Sequence, residues 1–409
     1  MYNSQLMTIR LGDKCQFING RAYSQEELLN AGKYKVLRVG NFFSNSNWYY
    51  SNMELDDDKY CSNGDLLFAW SASFGPRIWE GEKTIFHYHI WRLKPDESSL
   101  NKKYLYYLLQ YKTKSLIKDT HGSIMLHLTK QNMEDTKVYV HKNINHQKFI
   151  ADVLSSIDDK ISLNSKICLE LESMARVLYD YWFVQFDFPD GNGRPYKSSG
   201  GKMVFSPTIG REIPNGWGVK KLNEVCEIGS GYPFKPKSYV KNGKYKVITI
   251  KNVQESRLDL STTDSIDFIP NNIKGFCVLK KGDALISLTG NVGRMCLVDT
   301  ENLLLNQRVG KLLIKDVSYF EYLYIFLTSS EQRNRLEQIA SGSSQSNLSP
   351  ILATDTYFIN PPKQVIEQFH SILKTIYQQV IKNKQEAIFL SELRDFLLPM
   401  LMNGQVSVN

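Results

Sequence analysis

Two stretches of the chain carry apolar residues at spacings that alternate between three and four. In the first stretch these positions are Ile150, Val153, Ile157, Lys160, Asn164, Ile167, Leu171, Met174, Leu178 and Tyr181. In the second stretch, shifted by 219 residues throughout, they are Phe369, Ile372, Ile376, Gln379, Asn383, Glu386, Leu390, Leu393, Leu397 and Met400. A stripe of this period is typical of helices that pair in a coiled coil. We therefore predict two long helices, over 146–184 and 363–409, that pair antiparallel.

Both stripes turn polar near the middle, at Lys160 and Asn164 in the first stripe and at Gln379 and Asn383 in the second. Polar residues in a helix seam lower stability but fix the register and orientation of the pair. We therefore predict that these four side chains lie near one another and set the register. Two unrelated surface helices are the alternative interpretation of the pattern.

Shorter patterns predict the elements between the stripes. Apolar runs at 66–72, 247–253 and 283–289 predict strands, and the segments 102–118 and 318–339 predict one amphipathic helix each. From Phe188 to Trp217, 13 of 30 residues are Gly, Pro or Ser, which interrupt regular elements. We therefore predict a linker over 185–217.

The chain also repeats itself, which decides the predicted architecture. The matching runs are Gly32–Val36 with Gly243–Val247, Gly64–Leu66 with Gly282–Ala284, and Gly122–Ser123 with Gly342–Ser343. Their offsets drift slowly from 211 to 218 to 220, as expected of two homologous halves with small loop insertions. The predicted fold class is α+β, with two homologous α/β domains at 1–145 and 218–362. Two long antiparallel coiled-coil helices separate them, in a pseudo-two-fold repeat.

Composition and charge narrow the classes of function. With 409 residues, 42% hydrophobic, the chain can bury several cores, and no apolar run approaches the roughly 18 residues that cross a bilayer. We expect no membrane association and a cytoplasmic location. A net charge of +8 fits a nucleic-acid binder and an ordinary basic enzyme alike. The six cysteines are too widely spaced for a zinc ribbon.

No segment carries a complete catalytic or metal motif. Asn360–Lys363 (NPPK) resembles the Asn/Asp-Pro-Pro-aromatic tetrad of amino-methyltransferases, but a lysine replaces the stacking aromatic residue. Gly229–Tyr232 (GSGY) has too few glycines for a dinucleotide loop. His87 and His89 have no third ligand at a suitable spacing. We therefore predict no catalytic residue and no bound metal.

Polar loops at equivalent places in the two halves instead favour a DNA reader. Ser71–Arg77 matches Ser287–Arg294, and His87–His89 matches Asn306–Arg308. Asn, Gln and Arg side chains make bidentate contacts to adenine and guanine edges, and ordinary polar surface loops are the alternative. The predicted DNA-binding residues are Arg21, Ser71, Arg77, His87, His89, Ser123, His127, Tyr232, Lys235, Lys237, Thr289, Asn291, Arg294, Asn306, Gln307, Arg308, Ser343, Gln345 and Ser346.

Four further stretches carry a family resemblance. They are LESMARVLYDYWFV at 171–184, IPNGW at 213–217, the two prolines at 361–362 and LLPMLMNG at 397–404. In this order, and over essentially the whole chain, they resemble the specificity subunit of type I restriction–modification systems. One departure is that His87–His89 stands where the second half has Asn306–Arg308. Base contacts therefore cannot be transferred from one half to the other.

The resemblance implies a non-catalytic reader of double-stranded DNA. Each half would be a target recognition domain that reads one part of a bipartite target, and the helices would form the spacer. Two methyltransferase subunits would dock on the helices, and S-adenosylmethionine would bind to them rather than to this chain. Restriction or translocase subunits would join the assembly. From Ile150 to Tyr181 a helix spans roughly 47 Å, or on the order of 14 base pairs.

Two other classes of protein remain as alternatives. A single-chain DNA methyltransferase or nuclease with a degenerate motif would need a catalytic tetrad and a cofactor loop. A purely architectural coiled-coil protein would not need duplicated domains with polar loops at equivalent places.

Overall fold

The computed structural model describes residues 5–44, 47–118, 128–340 and 347–406, with no side-chain description over 114–118. The chain forms two compact units. Unit 1 consists of Met1–Ile161 and Phe389–Asn409, and unit 2 consists of Ser162–Ile388. Each of the two long helices therefore contributes a segment to both units.

Unit 1 combines short strands with helices. Its strands are Leu6–Arg10 (β1), Cys15–Asn19 (β2), Tyr34–Leu37 (β3), Tyr49–Ser51 (β4), Tyr60–Cys61 (β5), Leu66–Ser71 (β6), Ser73–Ile78 (β7), Thr84–Phe86 (β8), Ile90–Pro95 (β9) and Lys137–His141 (β10). Its helices are Leu11–Lys14 (α1), Val39–Phe43 (α2), Lys102–Lys118 (α3), Lys130–Asp135 (α4) and the first part of Ile144–Tyr179 (α5). The predicted helix over 102–118 and the predicted strand at 66–72 are confirmed.

Unit 2 follows the same plan. Its strands are Met203–Ser206 (β11), Arg211–Pro214 (β12), Gly218–Lys221 (β13), Cys226–Ser230 (β14), Tyr245–Ile248 (β15), Val253–Gln254 (β16), Arg257–Leu258 (β17), Ser265–Ile266 (β18), Val278–Leu279 (β19), Ala284–Ser287 (β20), Met295–Leu297 (β21), Leu303–Leu305 (β22), Val309–Ile314 (β23) and Tyr357–Asn360 (β24). Its helices are Phe320–Thr328 (α6), Ser330–Ala340 (α7), Pro350–Thr354 (α8) and most of Lys363–Met402 (α9).

The prediction of one helix over 318–339 is wrong, because Ser329 separates two helices. Its backbone is extended, with φ −63° and ψ 150°. Its Oγ accepts a hydrogen bond from the Gln332 amide at 3.3 Å. A serine that satisfies the first free amides of a helix favours a new helix start at that point.

Sheet topology confirms the internal repeat. The four-stranded sheet β2-β9-β6-β7 of unit 1 corresponds to β14-β23-β20-β21 of unit 2, in the same strand order. The sheet β4-β3-β8-β5 corresponds to β18-β15-β22-β19, and the pair β1-β10 to β13-β24. The two halves of the sequence thus form the same mixed helix-and-sheet fold.

The matched Gly-Asp pairs have a backbone reason. Gly64 and Gly282 adopt φ values of +86° and +88°, a conformation that side chains disfavour. The carboxylate that follows each glycine closes the turn. Asp65 accepts from the Ser62 amide at 2.8 Å, and Asp283 accepts from the Lys280 amide at 2.7 Å. The sequence match therefore reflects one turn built twice.

The segment 185–217, predicted as a linker without regular elements, contains the hairpin β11–β12. Gly210 lies in its turn at φ +66°, so the glycine and proline content marks a turn between strands. Phe188 and Trp217 are buried in unit 2, with ring centres 4.8 Å apart. Buried aromatic side chains tie this segment to the core, which the density of Gly, Pro and Ser concealed.

The two long helices begin close to their predicted starts, and α5 with its π-helical turn also ends at the predicted limit, whereas α9 ends seven residues before the predicted 409. Helix α5 starts after Asn143, whose Oδ1 accepts from the Asn145 amide at 2.8 Å, and it continues as a π-helical turn over Asp180–Val184. Helix α9 follows Pro361 and Pro362 and ends at Met402. Neither these helices nor the others in the described ranges combine the length and apolar character needed to cross a membrane.

The segments of α5 and α9 that share a unit pack antiparallel. In unit 1, Arg394 donates to Asp158 at 2.7 Å, and the His141 ring nitrogen Nε2 lies 3.0 Å from the Leu401 carbonyl oxygen. The Asp158 carboxylate also accepts from the Tyr107 hydroxyl of α3 at 2.7 Å. Residues late in α9 therefore meet residues early in, or just before, α5.

Unit 2 shows the same direction of pairing. Asn164 donates to Glu386 at 3.1 Å, and the Cys168 thiol lies 3.5 Å from the Val380 carbonyl oxygen. Lys384 donates to Glu172 at 2.9 Å and to the Ser256 carbonyl at 2.8 Å. The last of these contacts attaches α9 to the β16–β17 turn.

The buried stripe agrees with the predicted one only in part. The predicted positions Ile150, Asn164, Phe369 and Asn383 are buried, whereas the predicted Met174 is 58% exposed. The other buried positions include Ala151, Leu154, Cys168, Ala175 and Tyr179 in α5, and Leu373, Tyr377, Val380, Leu398 and Leu401 in α9, each directly after a predicted position. Helical side chains lean toward the N-terminus, so a residue one position later can cover the same spot. A criterion based on large apolar residues also missed the small members of the contact.

The predicted register residues divide accordingly. Asn164 and Asn383 are buried, whereas Lys160 and Gln379 are exposed and lie outside the buried stripe. Gln379 donates to Asn383 within α9 at 2.9 Å. Among the described atoms, Asn164 Oδ1 and Asn383 Nδ2 are buried without a partner. That pattern corrects the prediction for Lys160 and Gln379, and a register role for the two asparagines stays a prediction.

Candidate nucleic-acid interface

In unit 1, the ends of β2, β3 and β8 meet at one edge of the fold. Strands β3 and β8 are parallel neighbours, so the residues that follow them lie together. The His87 amide donates to the Leu37 carbonyl at 2.9 Å, and the Arg21 amide donates to the Phe86 carbonyl at 3.1 Å. The Tyr88 amide donates to Arg21 at 3.0 Å, and the Trp70 amide to His89 at 3.0 Å. We call the loop 87–89 the reading loop of unit 1.

Unit 2 repeats these four backbone hydrogen bonds. The Asn306 amide donates to Ile248 at 3.0 Å, and the Tyr232 amide donates to Leu305 at 2.8 Å. The Gln307 amide donates to Tyr232 at 3.1 Å, and the Leu288 amide to Arg308 at 3.0 Å. The reading loop of unit 2, residues 306–308, is therefore held by the same frame.

A glycine directly follows β2 in unit 1 and β14 in unit 2, because two backbones touch there. A Cβ atom on Gly20 would lie 2.4 Å from the carbonyl oxygens of Phe86 and His87. A Cβ atom on Gly231 would lie 2.3 Å from the Leu305 carbonyl oxygen. Only glycine permits this approach without displacing the reading loop.

Aromatic and imidazole rings cover the reading loop of unit 1. The Tyr88 and His89 ring centres lie 3.9 Å apart, and the His87 and His89 ring centres lie 4.8 Å apart. The Trp70 indole packs 5.1 Å from His89 and donates to the Tyr88 carbonyl at 2.9 Å. Burial, with His89 and Arg38 nearby, lowers the pKa of His87 to about 4, so its imidazole is uncharged at neutral pH.

The other predicted DNA-binding residues of unit 1 differ in whether their side chains are already engaged within the protein. The Arg21 guanidinium contacts both Glu27 carboxylate oxygens, at 2.7 and 3.0 Å, and holds the pKa of Glu27 at about 2. Arg77 donates to the Phe42 carbonyl, and Ser71 is buried at the end of β6. The structure thus brings Arg21, His87 and His89 together, whereas Ser71 and Arg77 serve the surrounding fold.

Unit 2 presents amide and guanidinium groups instead. Gln307 and Arg308 are exposed, whereas Asn306 is buried and its Oδ1 accepts from the Arg308 amide at 3.1 Å. Asn306 therefore shapes the turn. Phe234, two residues after Tyr232, is buried among Val247, Ile266 and Leu304 and is not available for stacking on a base.

The remaining predicted residues of unit 2 differ in exposure and in contacts. Lys235, Lys237 and Asn291 are exposed, and the Tyr232 hydroxyl donates to Asn272 at 2.8 Å. Arg294 donates to Gln254 at 2.6 Å. The Thr289 hydroxyl is buried without a partner among the described residues. The predicted residues Ser123, His127, Ser343, Gln345 and Ser346 lie outside the described residues.

Sequence reasoning missed two residues at the edge of unit 1. Trp70 supports the reading loop, although the sequence indicated only its strand. Arg38 lies next to His87 because it follows β3, and its position two residues after the repeated GKYKV run was the available signal.

Metal-binding and catalytic groups were also sought in the described ranges. No three His, Cys, Asp or Glu side chains there are arranged to hold a metal ion. Asn360, from the NPPK segment, accepts a hydrogen bond from the Tyr319 hydroxyl at 2.8 Å and so has a structural contact. Burial raises the pKa of Cys15 and of Cys226 to about 12, which leaves both thiols unreactive.

The comparison with protein families is decisive. Residues 3–173 and 214–389 match the family described as the type I restriction modification DNA specificity domain. The chain belongs to this family. Membership makes it a non-catalytic DNA recognition component of a type I restriction–modification enzyme, and it confirms the resemblance found in the sequence. A single-chain methyltransferase or nuclease is not favoured.

Individual members of the family align along most of the chain. The specificity subunit of the type I restriction enzyme MjaVIII from Methanocaldococcus jannaschii is 26% identical over 420 residues, covering 98% of this chain and 92% of the relative. The MjaIX specificity subunit from the same organism is 26% identical over 323 residues, covering 75% of this chain and 69% of the relative.

A solved structure shares the fold. The S subunit of a type I restriction–modification system from M. genitalium superposes with a TM-score of 0.60 at 15% identity. The alignment covers 98% of this chain and 97% of that chain.

Proposed function

We propose that DNA recognition is divided between the two units, each reading one part of a bipartite double-stranded target through its reading loop. The observation that carries this proposal is the set of four equivalent backbone hydrogen bonds that hold chemically different side chains. A fixed frame with variable groups at its edge suits the reading of different bases, because base edges differ only in their donors, acceptors and methyl groups.

Charged groups near the loops supply the second part of DNA binding. Lys235 and Lys237 are exposed in the segment that follows Tyr232, whose backbone pairs with the reading loop of unit 2. Lysine contacts to phosphates give affinity that is independent of sequence and sensitive to salt. We assign these lysines to phosphates and Gln307 and Arg308 to bases.

We further propose that two methyltransferase subunits dock on the long helices. Leu169 and Val177 of unit 2 are 66% and 65% exposed on α5, and Phe396 of unit 1 is 63% exposed on α9. Large apolar side chains exposed along helices are typical of surfaces that another subunit covers. S-adenosylmethionine would bind to those subunits, and restriction or translocase subunits would join the same assembly.

The helix lengths are the proposed determinant of the unread spacer. A matched insertion of seven residues in α5 and α9 keeps the heptad pattern and lengthens each helix by roughly 10 Å. We expect the methylated target to gain roughly three unread base pairs. An assembled variant that keeps the original spacing would contradict this assignment.

The main experiment is methylome sequencing of cells with and without the gene. We expect one bipartite methylated motif to disappear with the gene. Exchange of residues 1–145 for the same region of another family member should change only one part of that motif. Methylation that is unaffected by the deletion would overturn the proposal, and a simultaneous change of both parts would overturn independent reading.

Docking is tested separately. The double substitution Leu169→Asp and Val177→Asp should abolish co-purification with the methyltransferase subunit while leaving the melting temperature unchanged. Glu170→Gln, an exposed neighbour on the same helix, is the control and should co-purify normally.

A further inference from the structure

Arg38 occupies the edge of unit 1 beside the reading loop. It follows β3, and His87 follows the parallel neighbour β8, with Val36 and Leu37 paired to Ile85 and Phe86. The His87 amide bonds to the carbonyl of Leu37, the residue before Arg38. The two side chains therefore begin at adjacent points of one sheet edge.

The Arg38 guanidinium is oriented by an aromatic ring. Its central carbon lies 5.1 Å from the centre of the Tyr49 ring. A guanidinium over a ring face is attracted to the ring and is held in one plane. Arg38, Tyr49, His87 and His89 line a depression of about 410 Å³. An open depression of this size can admit the edge of a base pair.

Arg21 and Arg77, the other arginines described near this edge, are engaged by protein groups, and His87 is uncharged. Arg38 therefore supplies the positive charge there. The guanidiniums of Arg21 and Arg77 are engaged by Glu27 and by the Phe42 carbonyl. The pKa of His87 is lowered by burial, by His89 and by Arg38, so His87 brings no charge at neutral pH.

Unit 2 has a different group at the same position of the repeat. Thr249 stands there, and its hydroxyl donates to Asn252 at 2.9 Å. The residue after this strand therefore belongs to the variable edge of the frame, like the reading loop.

We propose that Arg38 reads a guanine in the part of the target bound by unit 1, donating two hydrogen bonds to N7 and O6 in the major groove. An arginine offers donors only, in a planar fork. Guanine presents two neighbouring acceptors on that edge, whereas adenine and cytosine each present a donor there. This inference rests on the proposed function of the reading edge.

The DNA side of the test uses the wild-type chain assembled with its methyltransferase subunits. Each guanine of the unit 1 half-site is replaced in turn by 7-deazaguanine, which lacks the N7 acceptor. We expect one position to lose roughly tenfold in affinity for the wild type. The Arg38→Ala complex, already weakened, should lose nothing further at that position.

The protein side separates a base contact from a phosphate contact. Arg38→Lys keeps the charge but loses the fork, and should lower the preference for that G·C pair by roughly 10- to 100-fold without changing the salt dependence. Arg10→Lys in unit 1 is the matched control, since Arg10 pairs with Asp13 and Asp135 away from the edge. Melting temperatures verify that both variants fold.

Three outcomes would overturn the inference. They are a half-site without a sensitive guanine, an Arg38→Lys complex with unchanged preference, and an Arg38→Ala complex that weakens all sequences alike with a smaller salt slope. The last outcome would indicate a phosphate contact. A wild-type complex without any sequence preference would instead refute the proposed function itself.

Discussion

The reading loop of unit 1 carries His87, Tyr88 and His89, whereas the reading loop of unit 2 carries Asn306, Gln307 and Arg308. Both loops are fixed through equivalent backbone groups, at donor–acceptor distances that range from 2.8 to 3.1 Å. Backbone bonds of this kind do not depend on the side chains they carry. The comparison shows that the backbone positions the loop in both units, whereas the side chains on the loop differ between the units.

The residues that the two units share point to the same division. Gly20 and Gly231 allow backbones to touch, and Asp65 and Asp283 close a turn after a glycine at positive φ. Each is required by local backbone geometry. Residues that differ, such as Arg38 and Thr249, have side chains that the frame does not specify.

The units also differ in how the chain completes them. Unit 2 is one continuous stretch, 162–388, whereas unit 1 needs the distant segment 389–409. Leu398, Leu401 and Met402 of that segment are buried in the core of unit 1. Unit 2 is therefore completed by one continuous segment, whereas the core of unit 1 needs the end of α9.

The largest expected effect follows from this second difference. Deletion of 389–409 should unfold unit 1 and leave unit 2 folded. Truncating a buried Leu or Met costs about 2–5 kcal/mol, so losing all three is comparable with the whole free energy of unfolding of a domain, about 5–15 kcal/mol. Hydrogen exchange, resolved by unit, measures the result.

A matched pair of substitutions on α9 gives the control for that deletion. Leu401→Ala should lower the stability of unit 1 by about 2–5 kcal/mol, whereas Phe396→Ala, at a highly exposed site, should change it by less than about 0.5 kcal/mol. Equal loss of protection in both units after the deletion would show that the units are not separately stable.

The next effect tests whether the frame is the same in both units. Gly20→Ala and Gly231→Ala each place a Cβ atom within 2.4 Å of a backbone oxygen. Each should destabilise its own unit by about 1–3 kcal/mol, measured by denaturant unfolding. Gly40→Ala and Gly218→Ala, with nothing within 4 Å, are the controls. A large effect in one unit alone would break the comparison.

Much of this frame could be predicted from the sequence because it depends on local rules. The repeat, the strands at 66–72 and 283–289, and the start of α9 after Pro361 and Pro362 all follow from periodicity and turn chemistry. The family was evident as well. The pairing of loops 87–89 and 306–308 as equivalents was also correct, because the flanking glycines and strands anchor the alignment.

The remaining features depend on packing that a single sequence does not specify. Part of the buried helix stripe lies one residue after the predicted positions, and its small members, such as Ala151 and Ala175, are not found by a search for large apolar residues. Arg21 was a candidate DNA contact by residue type, but Glu27 engages it. Arg38 was missed because its neighbour His87 is distant in the sequence.

A smaller effect compares the partly buried ion pair that both units repeat. Lys311 lies 2.6 Å from Asp283 in unit 2, and Arg92 lies 3.8 Å from Asp65 in unit 1. Lys311→Met should lower the stability of unit 2 by about 1–2 kcal/mol, because Asp283 keeps its charge but loses its partner. Arg92→Met should cost more, although its ion pair is longer, because the buried Tyr60 carbonyl also loses the Arg92 donor that lies 2.6 Å away. Lys315→Met, an exposed control, should be neutral; a smaller loss from Arg92→Met than from Lys311→Met would reverse the ranking.

The smallest expected effect lies in the chemical difference between the loops. In unit 1 the pKa of His87 is about 4, against an ordinary value of 6.5, chiefly because of burial and then because of His89 and Arg38. The unfolded chain therefore binds more protons than the folded chain between these two values. Stability from this residue is fully present above pH 6.5 and is lost as the pH falls toward 4.

The substitution His87→Asn places in unit 1 the residue found at the same position in unit 2 and removes this titration. Because His87 is only partly buried, solvent screening should limit the effect to roughly 1 kcal/mol or less. Unit 1 of the wild type should lose stability from pH 6.5 to 4.5 faster than the variant, as hydrogen exchange resolved by unit would measure, with unit 2 as the internal reference. The backbone bonds of the loop should survive the substitution, since Asn306 makes the same ones. If the variant and the wild type lost stability in parallel, the imidazole would not be the origin of the difference between the two edges.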